Sequence, residues 1–447
     1  MFPLLIISYD LFRKNLASLQ SVCELLICDE GHRLKCSQGN KTIDSLSSLR
    51  CNRRIVLTGT PVQNDLEEFW ALCNFVNPGC LGNLSSFRCI FASPILASRE
   101  PSAAEDIKDL GLSRAAELSR VAESFILRRL SSTLSQYLPD KTESVVFCHL
   151  SENQRESYIK EAKSGVARLG ESYSLGNVLS IIASLRRLCV QPHISEEIDT
   201  QSARKFTMDE ATNSSKMQFL RLFVSRLTST TNDRLVIVSN FTRNLDLCEL
   251  VLDAQSIPYC RLDGSTPVQA RTTMVETFNS SRTWTAFLLS SRAGGVGLNL
   301  IGANRLILLD PDWNPAIDKQ AMARIWRDGQ NKAVYIYRLL CTGTIEEKIF
   351  QRQIFKGQLE SAIDSELVQD TPSSFSAEQL RELFDYNDDT DCETRDLIFK
   401  SDPTSEVAMD MRASQEQLCS DSVLQGLLED EVDLISFAFE SRLSRNP

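Results

Sequence analysis

The sequence predicts an α/β protein in two parallel-sheet blocks. Short apolar runs rich in Leu, Ile and Val recur along the chain, and amphipathic helical patterns fill the intervals between them. Strands covered on both faces read as continuous apolar runs rather than as alternating ones. Regular strand–helix alternation is the signature of a parallel sheet clothed by helices. The length, 447 residues, suffices for two or three domains with cores of their own.

The first run is Leu4 to Ile7, inside Met1-Phe2-Pro3-Leu4-Leu5-Ile6-Ile7. It has no basic flank and no small-residue cleavage site, so it reads as a buried strand rather than a signal peptide. Leu25 to Cys28 and Ile55 to Leu57 follow, and Val145 to Cys148 reads as a strand after a boundary turn at Pro139-Asp140-Lys141. Residues 1–150 form the first block. Residues 151–212 read as a helical linking region. The second block, 213–356, holds the runs Leu235 to Val238, Ala286 to Leu289 and Leu306 to Leu309.

The remainder, 357–447, is acidic and Ser-rich and predicts a partly disordered, flexible tail. One helix is expected in it near 376–386. Ser376 and Gln379 have capping-box spacing, and Phe375 and Leu380 are placed as a hydrophobic staple. Leu380, Leu383 and Phe384 then make an apolar stripe, which either docks on the parent domain or binds a partner.

Net charge is −11, which taken whole argues against nucleic acid. Its distribution argues otherwise. From Ser361 onward there are 21 acidic and 6 basic residues, leaving 42 basic and 38 acidic residues before it. A mildly basic body of net +4 therefore carries an acidic tail, and such a body is compatible with DNA. No run is long and apolar enough for a membrane span. The 14 cysteines include no C-x-x-C pair, which excludes zinc ribbons and fits reduced thiols. The three histidines, His32, His149 and His193, are too dispersed for a metal cluster.

Four segments carry candidate chemistry. In Leu25-Leu26-Ile27-Cys28-Asp29-Glu30-Gly31-His32 an apolar strand ends in two carboxylates. Ligands bind at the carboxyl ends of such strands. Asp29 could hold Mg²⁺ and Glu30 could activate water; equally, both could be surface acids. In Arg54-Ile55-Val56-Leu57-Thr58-Gly59-Thr60-Pro61-Val62-Gln63-Asn64, the polar groups of Thr58, Thr60 and Gln63 could relay nucleotide state. A capped turn with Pro61 at the first helical position is compatible with that role.

In Leu289-Ser290-Ser291-Arg292-Ala293-Gly294-Gly295-Val296-Gly297-Leu298-Asn299, the glycines permit close backbone approach to phosphate. Ser290, Ser291, Arg292 and Asn299 suit sequence-blind backbone contacts to DNA. A plain tight turn is the alternative. In the last segment, Asp310-Pro311-Asp312-Trp313-Asn314-Pro315 and then Gln320 to Gln330, Arg324 and Arg327 are three apart and would share a helical face. Two guanidiniums so placed could clamp a γ-phosphate, a role worth ~10³- to 10⁵-fold in rate where tested.

Together and in this order, the segments resemble helicase superfamily two, and within it the SWI/SNF-type DNA translocases. Asp29 to His32 is similar to the family's second motif, and Thr58 to Asn64 to its third. Arg234 to Asn240 with Leu262-Asp263-Gly264 resembles the region of its fourth. Ser290 to Asn299 and Gln320 to Gln330 resemble the fifth and sixth. Phe75-Val76-Asn77-Pro78-Gly79, Phe125-Ile126-Leu127-Arg128-Arg129, Leu185-Arg186-Arg187-Leu188-Cys189 and Tyr337-Arg338-Leu339-Leu340 extend the likeness to the homologous-recombination branch, the RAD54 group. Ser98 to Ala103 and Asp391 to Thr394 lean towards its B paralogue. The resemblance spans roughly residues 4 to 400.

It implies two RecA-like lobes, the first incomplete, and a DNA-dependent ATPase that translocates on double-stranded DNA in the nucleus. It also implies cooperation with a strand-exchange recombinase. Glu30, Arg324 and Arg327 would be catalytic. Asp29 (with Mg²⁺), Gly295, Gly297 and Gln320 would bind ATP. His32, Thr58, Thr60 and Gln63 would couple the lobes. The sequence departs from the family at one decisive place. It contains no G-x-x-x-x-G-K-[ST] phosphate loop, and Gly39-Asn40-Lys41-Thr42 has the wrong spacing. Truncation is therefore expected, with a hydrophobic strand edge left open. A non-catalytic fragment that binds DNA or a recombinase, and a chromatin remodeller of a sister branch, are the alternative readings.

Overall fold

In the computed structural model, the described residues are 4–19, 23–31, 34, 41–58, 66–98, 104–127, 129, 131–171, 174–191, 206–291, 293, 297–362, 377–401, 403–416, 419–430 and 433–443. The chain divides into two compact units, Met1–Arg128 with Phe355–Ser374, and Arg129–Ile354 with Phe375–Pro447.

The first unit contains a parallel pair of strands, β1 (Leu26–Cys28) and β2 (Arg54–Val56), with Leu26 facing Arg54 and Cys28 facing Val56. Cys28 packs with Phe12, Leu34, Leu46, Leu49, Cys51 and Phe75, and Val56 lies against this cluster. Leu25, Ile27, Ile55 and Leu57 are about half exposed. Arg54 anchors β2: Nη1 donates to the Phe75 carbonyl at 3.0 Å and Nε to that of Cys51 at 3.1 Å. A second apolar cluster joins Phe69, Phe87, Phe91, Ile95 and Leu118. Gly111 lets its helix, Glu105–Ala122, approach the preceding one, because a Cβ there would fall 2.9 Å from the Pro94 carbonyl.

The opening run is not a strand. Residues 4–8 belong to no helix or strand, and Leu4, Leu5 and Ile6 are exposed. Ser8 instead caps the helix Tyr9–Lys14. Apolar composition alone specifies burial only where a partner surface exists.

The second unit is a seven-stranded sheet. Its strands are β3 (Lys141–Cys148), β4 (Leu235–Ser239), β5 (Tyr259–Leu262), β6 (Ala286–Ser290), β7 (Arg305–Leu308), β8 (Val334–Cys341) and β9 (Ile435–Leu443), in the order β5-β6-β4-β7-β8-β3-β9. All pairings are parallel except β3 with β9. Strands β4, β6 and β7 are buried throughout, as continuous apolar runs require. The α/β class with a parallel-sheet core is as expected.

Three boundaries differ from the expectation. The sequence places Val145 to Cys148 in the first block, but β3 pairs along its whole length with β8. The supposed linker 151–212 contributes helices Glu152–Glu171 and Leu175–Leu188 to the second unit. Tyr158, Ile181, Leu185 and Leu188 are buried there with Cys341 and Ile345, and the Tyr158 hydroxyl accepts the Ile345 N–H at 2.8 Å.

The tail is the largest correction. Its described residues form helices Ala377–Phe384, Glu393–Ser401, Glu406–Glu416 and Ser422–Asp430, then β9. Leu380, Leu383 and Phe384 are buried against Tyr158 and Ile345, so the stripe docks on its own chain. Ser376 and Phe375, of the expected cap, lie outside the described residues. Two of the described acidic residues, Asp421 and Glu440, have specific partners. Asp421 takes the Tyr337 hydroxyl at 2.6 Å and Arg305 Nη1 at 2.8 Å. Glu440 takes the Ser420 N–H at 3.0 Å and its hydroxyl at 2.8 Å. Charge that is individually paired no longer opposes compaction.

Candidate functional site

In the first unit the candidate residues stand at the carboxyl ends of β1 and β2. Asp29 is exposed and Glu30 half-buried directly after β1. The Leu57 N–H donates to the Cys28 carbonyl, and the Gly31 N–H to the Leu57 carbonyl, both at 2.8 Å. These bonds hold the Asp29-Glu30-Gly31 turn beside Thr58. Glu30 has φ +50°, a left-handed conformation uncommon for a residue with a Cβ. Its N–H donates to Asp29 Oδ1 at 2.9 Å, and Tyr9 donates to the Asp29 carbonyl at 2.7 Å. Gly31 is required by space: a Cβ would fall 2.1 Å from Val56 Cγ1. The turn is thus built to project two carboxylates from a strand end. Thr58 sits alongside, half-buried. His32, Thr60 and Gln63 lie outside the described residues.

In the second unit Asp310, just after β7, ties that end to the end of β4. Its carboxylate accepts the Ser239 hydroxyl, the Asn240 N–H at 2.7 Å and Asn244 Nδ2 at 3.0 Å. Asn240 Nδ2 donates to the Asp310 carbonyl at 3.1 Å. Asp310 is buried, and sequence reasoning did not single it out as a site residue. Its signal was the same as that of Asp29, a carboxylate directly after an apolar strand.

Ser291 begins the glycine-rich segment within this network. Its N–H donates to the Ser239 carbonyl at 3.0 Å and its hydroxyl to Asn240 Oδ1. Ser290, at the end of β6, is only 3 % exposed. Asn299 is also drawn inward. Its carbonyl accepts Asn279 Nδ2 at 2.7 Å, and its buried Oδ1 has no hydrogen-bond partner. Gly297 is exposed, and a Cβ there would meet nothing within 4 Å. Packing within the chain therefore does not demand glycine at that position. Arg292 and Gly295 lie outside the described residues.

Gln320 is half-buried on the helix Pro315–Met322, which Asn314 caps by accepting the Ala316 N–H at 3.0 Å. The helix stops at Met322. Arg324 and Arg327 therefore do not share a helical face as their spacing suggested; both lie in the turns that follow. Tertiary hydrogen bonds replace the helical ones. The Arg324 carbonyl accepts the Leu300 N–H at 2.9 Å, and Arg327 Nη1 donates to the Leu298 carbonyl at 3.2 Å. Gln330 Nε2 donates to the Ala303 carbonyl at 2.7 Å and to that of Ile325 at 3.1 Å. Trp326 Nε1 donates to Pro139 at 2.8 Å beneath the Lys141 ammonium. The glycine-rich and arginine segments are therefore one laced assembly, which positions Arg324 with most of its surface buried.

Asp318 lies six residues before Arg324 and is buried. Oδ1 accepts the Asp312 N–H at 3.0 Å, whereas Oδ2 lies 3.6 Å from Arg338 Nη1 with no hydrogen bond. Burial pushes its carboxyl up to about 7, against the pull of Arg338. The folded state therefore binds this proton more tightly than the unfolded chain. The resulting stability is present in full near pH 4 and is lost as pH rises towards 7. Asp318→Asn should remove that loss, making the variant relatively more stable at pH 7 by as much as ~4 kcal/mol. Urea unfolding of both proteins from pH 4.5 to 8 measures it. A stability difference independent of pH would refute the assignment.

The SNF2-related domain family matches residues 1–194, and the helicase conserved C-terminal domain family matches residues 215–329. The DNA repair and recombination protein RAD54B of Gallus gallus is 44 % identical over 427 residues, covering 89 % of this chain and 46 % of its own length. The RAD54-like DNA repair and recombination protein of the same organism is 46 % identical over 414 residues, covering 89 % and 56 %. The chain is thus similar to the RAD54 group of SNF2-related helicases. A B paralogue is among these relatives, in line with the lean read from Ser98 to Ala103. The chain spans about half the length of the curated relatives it matches. Among solved structures it is similar to the Sulfolobus solfataricus SWI2/SNF2 ATPase core in complex with dsDNA, at TM-score 0.45 and 25 % identity, over 85 % of this chain and 76 % of that one. Among the described residues, no helix is long and apolar enough to cross a membrane.

Proposed function

We propose that this chain belongs to an ATP-driven translocase on double-stranded DNA that acts in homologous recombination and double-strand-break repair in the nucleus. The observation that carries the reading is the Asp29-Glu30 turn, two carboxylates projected from a strand end beside Thr58. In this RAD54-type chain Glu30 acts as the base that orients and deprotonates the attacking water. Arg324 and Arg327 stabilise charge on the transferred phosphoryl group. Gly295, Gly297 and Gln320 contact the nucleotide, and His32, Thr58, Thr60 and Gln63 couple its state to movement. Ser291 and Arg292 contact the DNA backbone; Ser290 and Asn299 act from behind that surface.

ATP is the substrate. Asp29 fits a magnesium ion, because it is an exposed oxygen donor at a strand end. The ion would neutralise charge on the β- and γ-phosphates. A strand-exchange recombinase is the proposed protein partner. DNA contacts of this kind go mainly to phosphate, so affinity should fall steeply with salt. A flat salt response would count against the DNA assignment.

The second reading is a non-catalytic fragment that binds DNA or a recombinase. It is favoured by one observation: no G-x-x-x-x-G-K-[ST] segment occurs in the 447 residues. DNA-stimulated ATP hydrolysis by the chain separates the two. Turnover that disappears in Glu30→Gln and in Arg324→Ala supports catalysis. Retained DNA binding without turnover transfers the assignment to the binding fragment.

A further inference from the structure

We propose that Asn240 is a positioning residue of the DNA surface, which holds the hydroxyl proton of Ser291 inward until a phosphate oxygen of the duplex takes it. This role rests on the DNA-backbone contact proposed above for Ser291. The geometry leaves one arrangement of protons. The Asp310 main-chain carbonyl accepts Asn240 Nδ2 at 3.1 Å, and the Asp310 carboxylate accepts the Asn240 N–H at 2.7 Å. Turning the Asn240 amide over would set its Oδ1 against that carbonyl, two acceptors with no proton between them. Oδ1 therefore faces Ser291, and the Ser291 hydroxyl is the donor between the two. A hydroxyl has one proton, and here it is spent inside the chain. The Ser291 N–H is spent as well, on the Ser239 carbonyl at 3.0 Å. Phosphate oxygens of the DNA backbone accept hydrogen bonds, so Ser291 as it stands has no proton to offer one.

The Asn240 side of this contact is held from several directions. Asn244 Nδ2 donates to the Asp310 carboxylate at 3.0 Å, and Asn244 Oδ1 in turn accepts Gln191 Nε2 at 2.8 Å. Arg186 donates to the Pro311 carbonyl and lies over the Phe241 ring, 5.2 Å from its centre. Arg186 thereby fastens the residue after Asp310 to the residue after Asn240. Ser291 is half-buried, and a rotation about its Cα–Cβ bond is all that moves the hydroxyl away from Asn240. DNA binding then exchanges one hydrogen bond for another, so in the native chain the Ser291 contact adds little affinity. Without the Asn240 acceptor the hydroxyl is left to water before binding, and the contact with phosphate counts in full.

The test is a double-mutant cycle on the full chain, read by fluorescence anisotropy with a short labelled DNA duplex over a range of salt concentrations. Asn240→Ala should bind the duplex roughly 2- to 12-fold more tightly than the native chain, the worth of one hydrogen bond. The slope of affinity against salt should stay the same, because no charged contact to phosphate is added. In a Ser291→Ala background the same Asn240→Ala change should have no effect on affinity. A merely structural role for Asn240 predicts the opposite sign, a loss of binding with the loss of order. Asn240→Ser, whose side chain is too short to reach Ser291, takes the place of the alanine variant if that one does not fold. Unchanged or weaker binding by the Asn240 variant, a gain that survives Ser291→Ala, or an altered salt slope would overturn the proposal. Absence of salt-sensitive binding in every protein, the native chain included, would instead sink the DNA reading and this role with it.

Discussion

A chain ending at Ser374 should be recovered as insoluble protein, not as a trimmed version of the same fold. Residues 375–447 supply β9, which pairs with β3 from Lys141 to Cys148. Deleting β9 opens an apolar strand edge, a template for aggregation. It also removes Val423, Leu424, Leu427 and Ile435 from the cluster around Phe223 and Tyr337, and Phe439 from that around Phe147. At roughly 1.5–3 kcal/mol for each large apolar side chain, the loss is comparable with the ~5–15 kcal/mol that holds a domain folded. Arg305 would lose its Asp421 partner while remaining buried, though Asp233 still accepts its Nε at 2.9 Å. Soluble yield and thermal unfolding of the two lengths measure the effect. Equal melting temperatures would mean that the tail is an appendage after all.

Lys216→Met should destabilise the second unit by ~3–5 kcal/mol, the cost of leaving one member of a buried ion pair alone. Lys216 and Glu346 are both fully buried and 2.7 Å apart. The ammonium also donates to the Leu309 carbonyl at 2.6 Å and the Leu339 carbonyl at 3.0 Å, so all three protons are used. Burial opposes its charge, but the Glu346 carboxylate outweighs burial and holds Lys216 above its ordinary value. That contribution is complete below the unfolded value and fades only as pH rises through the higher folded one. In the variant, Glu346 must either ionise unpaired or take up a proton, so the penalty should deepen as pH rises. The double variant Lys216→Met with Glu346→Leu should recover most of the loss, because a packed apolar pair has no charge to desolvate. Urea unfolding of the three proteins tests this. A single variant as stable as the double would refute it.

The parts of the site that were legible in the sequence are those whose signal is local. Asp29 and Glu30 follow an apolar strand, and ligands gather at the carboxyl ends of parallel strands. Thr58 follows the neighbouring strand, and the parallel pairing of β1 with β2 brings the two together. The glycine-rich and arginine segments were recognisable one at a time. Their lacing was not, because the bonds from Leu300 to Arg324 and from Arg327 to Leu298 join residues 24 and 29 apart. Those bonds, together with Gly329 at φ +93°, draw the chain out of the helix that three-residue spacing had suggested. Asp310 opens the fourth candidate segment but had no role of its own there, because what distinguishes it is three partners in residues 239–244, far away in sequence.

By itself the sequence determined the α/β class and the strand-end carboxylates, which follow from residue types at fixed short spacing, and its motifs carry the resemblance to the RAD54 group. Only the tertiary structure decided that β3 belongs to the second sheet, that residues 152–188 are part of its core, and that the acidic tail completes its edge. The physical reason is the same in each case. Pairing a strand or burying a carboxylate depends on what the rest of the chain presents, and a net charge of −15 over the tail says nothing of where its individual charges find partners. Asp421 is acidic in any tally, but between Arg305 and Tyr337 it is a core residue.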